Sequence, residues 1–560
     1  MNIFKDRFSE IKKASEPLYK SPKSVQETIE ILKISESGIF EVADGKYSKT
    51  YRFSDVNYAT RSEEEQESFF QRYCRCLNSF DCTFKITVNN KNKDMDVLRN
   101  EVMLKYRNDG FDKMRESYNR IIEEKILEGR QGIEQERYLT ITIERKNFEE
   151  AKAQFATIEA SMFRSFAELG SKLTPLTGNE RLKILHDYYR LGREDEFNFD
   201  IRQGRITGTD FRNEICNTRI KYHPDYFENE GKVGRVLFIK KYPTYLSDRF
   251  FTELTFLPVH SVTSVDVVPV PKDLTMKMLQ KKYLGIESDI IKQQRTRNRN
   301  NDFSSDISYA TRQKKKDIEE IMNNVRENDE SLYYVSVTMI VMADDRDELE
   351  SICETVDSIS KGAGCAVDTC MYKQREAVNT TLPIGVRQIE TMRTMLTQSL
   401  AVLMPFNVQE LCDRNGIYYG VNQISKNIIV GNRKKLLNGN GFIFGVSGAG
   451  KSFQAKMEMG SVLLSTDDNV IAVDPMNEYE DVTEKYNGTY INISTNTRNY
   501  INPMDMDVWN LDVLDSKGWV RDKCQFMLSI CEQIMKEITP QQRSIISRCV
   551  KDLYMDIARS

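Results

Sequence analysis

The spacing of apolar and polar positions changes character along this chain. In the first two thirds, short alternating runs are separated by long charged helical stretches. Residues 38–42 and 47–53, with a turn at Asp44-Gly45, predict a β-hairpin. Alternation predicts further strands at 82–88, 138–143, 233–239, 261–268, 332–341 and 365–371. Helical spacing covers 62–77, 112–128, 148–169 and 347–360, and a charged helical stretch runs over 276–328. Strands followed by long helices, without Gly-rich crossovers, predict an α+β region. The strand–helix order of 82–170 returns at 332–371, so two related α+β units are expected there.

From Phe442 the pattern shifts to strict strand–helix alternation. Apolar runs at 442–444, 470–473 and 489–493 predict buried strands, with helices after the first two. This order predicts a parallel α/β sheet with right-handed crossovers. After Asn502-Pro503 the chain turns helical, over about 515–536 and 540–558. The expected division is 1–170, an N-terminal α+β domain, and 171–380, a second α+β and helical region. A partial P-loop domain at 381–514 and a helical segment at 515–560 follow.

Between the first of these apolar runs and its helix lies Gly445-Val446-Ser447-Gly448-Ala449-Gly450-Lys451-Ser452, which fits G-x-x-x-x-G-K-[ST] without a mismatch. Gly445, Gly448 and Gly450 can take backbone angles that a Cβ forbids, turning successive N–H groups inward around a phosphate. Lys451 is the candidate phosphate-binding cation and Ser452 the candidate Mg²⁺ hydroxyl. A helix starting near Lys451 points its positive end at the same anion, and ATP with Mg²⁺ is the implied ligand. The apolar positions of that helix are Phe453, Met457, Gly460 and Leu464.

The second strand leads into Asp474-Pro475-Met476-Asn477-Glu478-Tyr479. Functional residues of such sheets sit at the carboxyl ends of strands, which makes Asp474 a candidate for the metal shell and Glu478 a candidate for orienting water. Asp474 before Pro475 reads equally as a helix cap. No second acidic strand follows in convincing form. Arg521, Arg543, Arg548 and Arg559 all lie in the helical tail, where surface charge is the default.

Composition narrows the rest. The 560 residues carry a net charge of −4, so a nucleic-acid surface would have to be local. The basic run Arg295, Arg297, Arg299 and Lys314–Lys316 offers a nucleic-acid or partner contact, but without interleaved aromatic residues it reads rather as the solvated tip of a helical hairpin. Eleven cysteines without a CxxC, and three histidines, fit reduced thiols rather than disulfides or a metal site. No apolar run is long enough to span a bilayer and the N-terminus has no secretory pattern, so a cytoplasmic location is expected.

Residues 374–505 resemble the large cytoplasmic ATPases of type IV secretion and conjugative transfer systems. The resemblance rests on Gln374-Arg375-Glu376-Ala377, Leu382-Pro383-Ile384-Gly385, Met404-Pro405-Phe406 and Tyr419-Gly420-Val421-Asn422. It continues through the P-loop, Asp474-Pro475, Glu478-Tyr479 and Ile501-Asn502-Pro503-Met504-Asp505, and Tyr51–Tyr58 resembles the N-terminal domain of that family. The resemblance implies a RecA-like motor of the HerA/FtsK type that hydrolyses ATP as a hexamer. It also implies docking on membrane channel components at the inner face of the cell membrane, with DNA as a further partner. Family members continue to a second acidic motif and an arginine finger, whereas Ser560 falls within what resembles their helical insertion, so a truncated member is expected. Three functions follow: an ATPase subunit of a transfer apparatus, a nucleotide-binding scaffold without turnover, or a DNA translocase of the same superfamily.

Overall fold

The computed structural model describes residues 22, 24–92, 99–100, 102–128, 133–216, 219–243, 245–299, 309–327, 330–413, 415–423, 425, 427–494, 497, 499, 501–505, 516–535 and 537–557. Most of the N-terminal lead-in, the expected tip residues Asn300 and Asn301, and Arg559 lie outside them. The chain forms two compact units. One is Met1–Phe444 with Leu464–Asp468; the other is Gly445–Leu463 with Asn469–Ser560.

The first unit is organised by one sheet with an internal repeat. Its first half runs β1 (Lys33–Ile34), β2 (Ile39–Ala43), β3 (Lys46–Phe53), α1 (Glu63–Asn78), β4 (Thr83–Asn92), α2 (Asp112–Glu128), β5 (Ile133–Glu144), α3 (Phe148–Leu169) and β6 (Leu173–Pro175). Helix α4 (Gly178–Tyr189) follows. The second half runs β7 (Ile220–Tyr222), β8 (Phe227–Asn229), β9 (Lys232–Lys241), α5 (Arg249–Thr255), β10 (Ser261–Val270), α6 (Lys272–Arg299), α7 (Tyr309–Glu327), β11 (Leu332–Ala343), α8 (Arg346–Gly362) and β12 (Ala366–Thr369). Helix α9 (Gln374–Thr381) follows it.

The strand order is β1-β2-β3-β5-β4-β10-β11-β9-β8-β7, with β6 on β3 and β12 on β9. Each strand of the first half therefore has its counterpart six strands later, and the halves meet where β4 pairs antiparallel with β10. The repeat differs in register from the one expected: β11 answers to β5, and the repeated unit begins at the hairpin. The α+β class is as expected, and each named strand pairing is antiparallel.

Local signals explain why the helix boundaries were legible. Ser62 caps α1 by accepting from Glu65 N, Asn147 caps α3, and Gly170 ends α3 at φ +80°. Thr177 and Glu180 form a capping box on α4.

The two faces of the sheet differ. One face is apolar: Tyr51, Phe84, Ile86, Leu139, Ile141, Val265, Val335 and Val337 pack under α1, α3, α5 and α8. Across the strands, the other face carries a buried polar row that includes Ser48, Thr50, Thr140, Thr87, Ser264, Asp266 and Thr338. Alternation alone would give such a row to solvent. Instead the segment from Thr380 to Arg387 lies across it and supplies its backbone carbonyls as acceptors.

Ser264 bonds to Thr381 O at 2.5 Å, Ser48 to Ile384 O at 2.6 Å, and Thr142 to Gly385 O at 3.0 Å. The buried Lys85 donates to the carbonyls of Thr380, Leu382 and Val386. Burial pushes its amine down to about 8, against the pull of Asp266. Arg181, also buried, donates to Gly38 O, Ser48 O, Pro383 O and Ile384 O, with its guanidinium 3.9 Å from the Phe40 ring centroid. Each such donor or acceptor left unpaired would cost about 1–3 kcal/mol, so row and segment stabilise one another. The Leu382-Pro383-Ile384-Gly385 motif thus has a structural role here. Strand β13 (Arg393–Leu396) then joins β11, and the hairpin β14 (Ile417–Val421) with β15 (Ile428–Gly431) covers the Tyr118, Ile122 and Ile126 face of α2.

The second unit contains α10 (Lys451–Ser465) through Leu463, then α11 (Glu480–Lys485), α12 (Ser516–Met535) and α13 (Pro540–Ile557). Helices α12 and α13 pack through Val520, Cys524, Val550 and Tyr554, and the Tyr554 hydroxyl donates to Met504 O at 2.6 Å. The expected parallel sheet is not formed among the described residues. Segments 442–444, 470–473 and 489–493 have no ladder partners, and Phe442, Phe444, Ile471, Val473 and Ile493 are exposed. A strand is completed only by hydrogen bonds to a neighbouring strand, and none is paired with these runs among the described residues.

Candidate functional site: a phosphate-binding loop

The loop Gly445–Ser452 leads directly into α10, whose first residue is Lys451. Gly448 and Gly450 have φ of +81° and +89°, a region costly for residues with a Cβ. Gly445 has an ordinary φ and a different reason to be glycine. A Cβ there would stand 3.2 Å from Ala449 Cβ and 3.3 Å from Lys451 Cγ. Gln454 N reaches back to Gly450 O at 2.9 Å, which starts the helix ladder inside the loop. The Lys451 ammonium donates to Gly445 O at 2.8 Å and Val446 O at 3.2 Å. All of the loop is solvent-accessible. These groups fit a polyphosphate with its cation: glycines that free backbone N–H groups, an ammonium held by loop carbonyls, and the Ser452 hydroxyl at the start of a helix.

Asp474 sits in a turn and caps it. Its carboxylate accepts from Met476 N at 3.2 Å and Tyr479 N at 2.9 Å. Partial desolvation pushes the carboxyl up, but the amides of Tyr479, Glu478, Met476 and Asn477 outweigh it and hold the group below the usual carboxylate range. Glu478 is exposed in the same turn, and Asn477 between them has φ +59°. The expected helix over 478–486 is shorter, Glu480–Lys485.

Two contacts that sequence reasoning missed fix this segment against α10. The Lys456 ammonium lies 5.8 Å from the Tyr479 ring centroid, and the Tyr486 hydroxyl lies 2.8 Å from where a Cβ on Gly460 would be. The signal for the second was a glycine in mid-helix, which usually has a packing reason. Gly460 and Leu464 are buried as the helical spacing predicts, but Phe453 is exposed, because no neighbouring strand covers it among the described residues. Arg521, Arg543 and Arg548 are exposed; Arg543 pairs with Glu532 and Arg521 lies 3.9 Å from Asp522. Among the described residues no cluster of three His, Cys, Asp or Glu side chains could hold a metal ion.

Residues 432–553 match the family model described as helicase HerA, central domain. This stretch is similar to a P-loop ATPase domain of the HerA/FtsK superfamily. The match spans the loop, α10, the Asp474 turn and most of the α12–α13 hairpin. A search of the curated proteins finds no match. No described helix is long and apolar enough to cross a membrane.

Proposed function

We propose that this chain is the ATP-binding motor subunit of a conjugative transfer or type IV secretion apparatus. The observation that carries the nucleotide site is the loop itself, with positive φ at Gly448 and Gly450 and the start of α10 at Lys451. The HerA-type match supports the superfamily. The ordered motifs from Gln374 to Asp505 support the transfer role.

In this reading the loop amides and the α10 N-terminus bind the phosphates, and bound Mg²⁺ neutralises phosphate charge. Lys451 exchanges its two carbonyl partners for phosphate oxygens. Ser452 and Asp474 would be the residues that hold the metal, Asp474 also holding its turn, and Glu478 would orient the attacking water. HerA-type domains generally form hexamers, and a neighbouring copy would supply a cation to the transition state. Membrane channel components and DNA are the proposed partners at the inner face of the membrane. A second reading, binding without turnover, is favoured by the engagement of Asp474 with its own turn amides.

Calorimetry with Mg-ATP on the chain and on Lys451→Ala tests the site. Binding that the substitution abolishes supports it, and equal affinity overturns it. A coupled ATPase assay separates motor from scaffold.

A further inference from the structure

Between β10 and β11 the second repeat inserts the helical hairpin α6–α7. On α6, Met276, Leu279, Tyr283, Ile286 and Ile290 recur at spacings of three and four and are buried or half-buried. On α7 the matching positions are Lys315, Ile318, Met322 and Val325. Lys315 fastens the pair: it bonds to Glu287 at 3.0 Å and lies 5.0 Å from the Tyr283 ring centroid. The two helices pack antiparallel along these positions, which follow the three-four spacing of a coiled-coil seam.

Helix α6 has a second seam on its opposite side. Leu274, Lys277, Lys281, Leu284, Ser288, Ile291 and Arg295 follow the same three-four spacing, and all are exposed. Leu274, Leu284 and Ile291 are 45%, 62% and 48% exposed. The stripe contains three cations and no carboxylate, and Lys277, Lys281 and Arg295 have no ion-pair partner among the described residues. A purely solvated face has no reason to keep leucine and isoleucine in heptad register.

In both repeats the main apolar face of the inserted helix is covered, on α6 by α7 and on α2 by another element. Helix α2 occupies the same position in the first repeat, between β4 and β5. Its apolar face is covered by Tyr418, Val421, Ile428 and Val430 of the β14–β15 hairpin. Among the described residues, the outer seam of α6 has no such cover.

We propose that α6 docks an acidic amphipathic helix of a partner protein along Leu274–Arg295, as a third helix beside the pair. The seam is about 32 Å long at 1.5 Å per residue, enough for about six turns of partner helix. Lys277, Lys281 and Arg295 select carboxylates, while Leu274, Leu284 and Ile291 supply the apolar contacts. A bilayer surface fits less well, because a membrane-lying helix presents a broad apolar face and this stripe is narrow and interrupted by cations.

The test uses the full chain and two synthetic heptad peptides with leucine at a and d. One carries Glu at the flanking e and g positions, the other Lys. Fluorescence anisotropy should show the acidic peptide binding about tenfold or more tighter than the basic one, with affinity falling as salt rises. Leu284→Asp with Ile291→Asp should remove binding, and Lys281→Glu with Arg295→Glu should reverse the peptide preference. Circular dichroism should be unchanged in both variants, since all four positions are exposed. Equal binding of both peptides, binding that survives both variants, self-association through the same residues, or attachment only to anionic phosphatidylglycerol vesicles would each overturn the proposal.

Discussion

Lys451 donates its ammonium to the carbonyl of Gly445 across 2.8 Å, so the loop closes on its own lysine. That bond is local and solvent-exposed, and no core contact depends on it. Lys451→Ala should therefore leave the circular dichroism spectrum and thermal transition unchanged while weakening Mg-ATP by about tenfold or more, read by calorimetry. A fall in thermal stability with unchanged affinity would contradict this role.

Glu478 should separate binding from turnover. It is exposed in the Asp474 turn. Glu478→Gln keeps the shape of the side chain and removes its charge. Nucleotide affinity should stay within about twofold, while turnover in the coupled assay falls by about a hundredfold, the usual scale for losing a group that activates water. Unchanged turnover would assign that role elsewhere.

Gly385 lies in the segment that crosses the polar face of the sheet, at φ +98°. A Cβ there would stand 2.6 Å from Ser48 Cβ and 2.7 Å from Thr142 Oγ1. Gly385→Ala should destabilise the first unit by more than the roughly 1–3 kcal/mol of backbone strain alone. Gly110→Ala is the control, because Gly110 has φ +90° and open space around its would-be Cβ. Denaturant unfolding of both variants should show the larger loss at Gly385.

His260 gives a pH dependence of known sign. It is buried, and neither ring nitrogen has a hydrogen-bond partner among the described residues. Burial first, then the charge of Lys91, pushes the imidazole down to about 4 from 6.5, with Asp187 opposing and Lys232 assisting. Between these values the unfolded chain takes up a proton that the folded chain refuses. Stability from this group is thus complete above pH 6.5 and is lost as pH falls toward 4, by about 3 kcal/mol in all. Urea unfolding at pH 7 and pH 4.5 should show a smaller acid loss in His260→Phe than in the parent.

The sequence by itself determined the local structure. Alternation placed β3, β10 and β11, and caps such as Ser62 and Asn147 fixed helix starts, because these signals depend only on neighbouring residues. The Gly445–Ser452 motif was equally legible as a pattern, since glycine, lysine and serine at fixed spacing are all read within eight residues.

The tertiary structure alone decided which strands are neighbours. Strand β4 meets β10 across some 170 residues of chain, a pairing no local pattern encodes. It also decided that Ser48, Thr140 and Ser264 are buried rather than solvated, because the carbonyls of Thr381, Pro383 and Ile384 arrive from far along the chain to satisfy them. In the second unit the apolar runs at 470–473 and 489–493 carry a strand pattern without a ladder. A strand is completed by hydrogen bonds to its neighbours, so its pattern can be written in one segment while its formation depends on others.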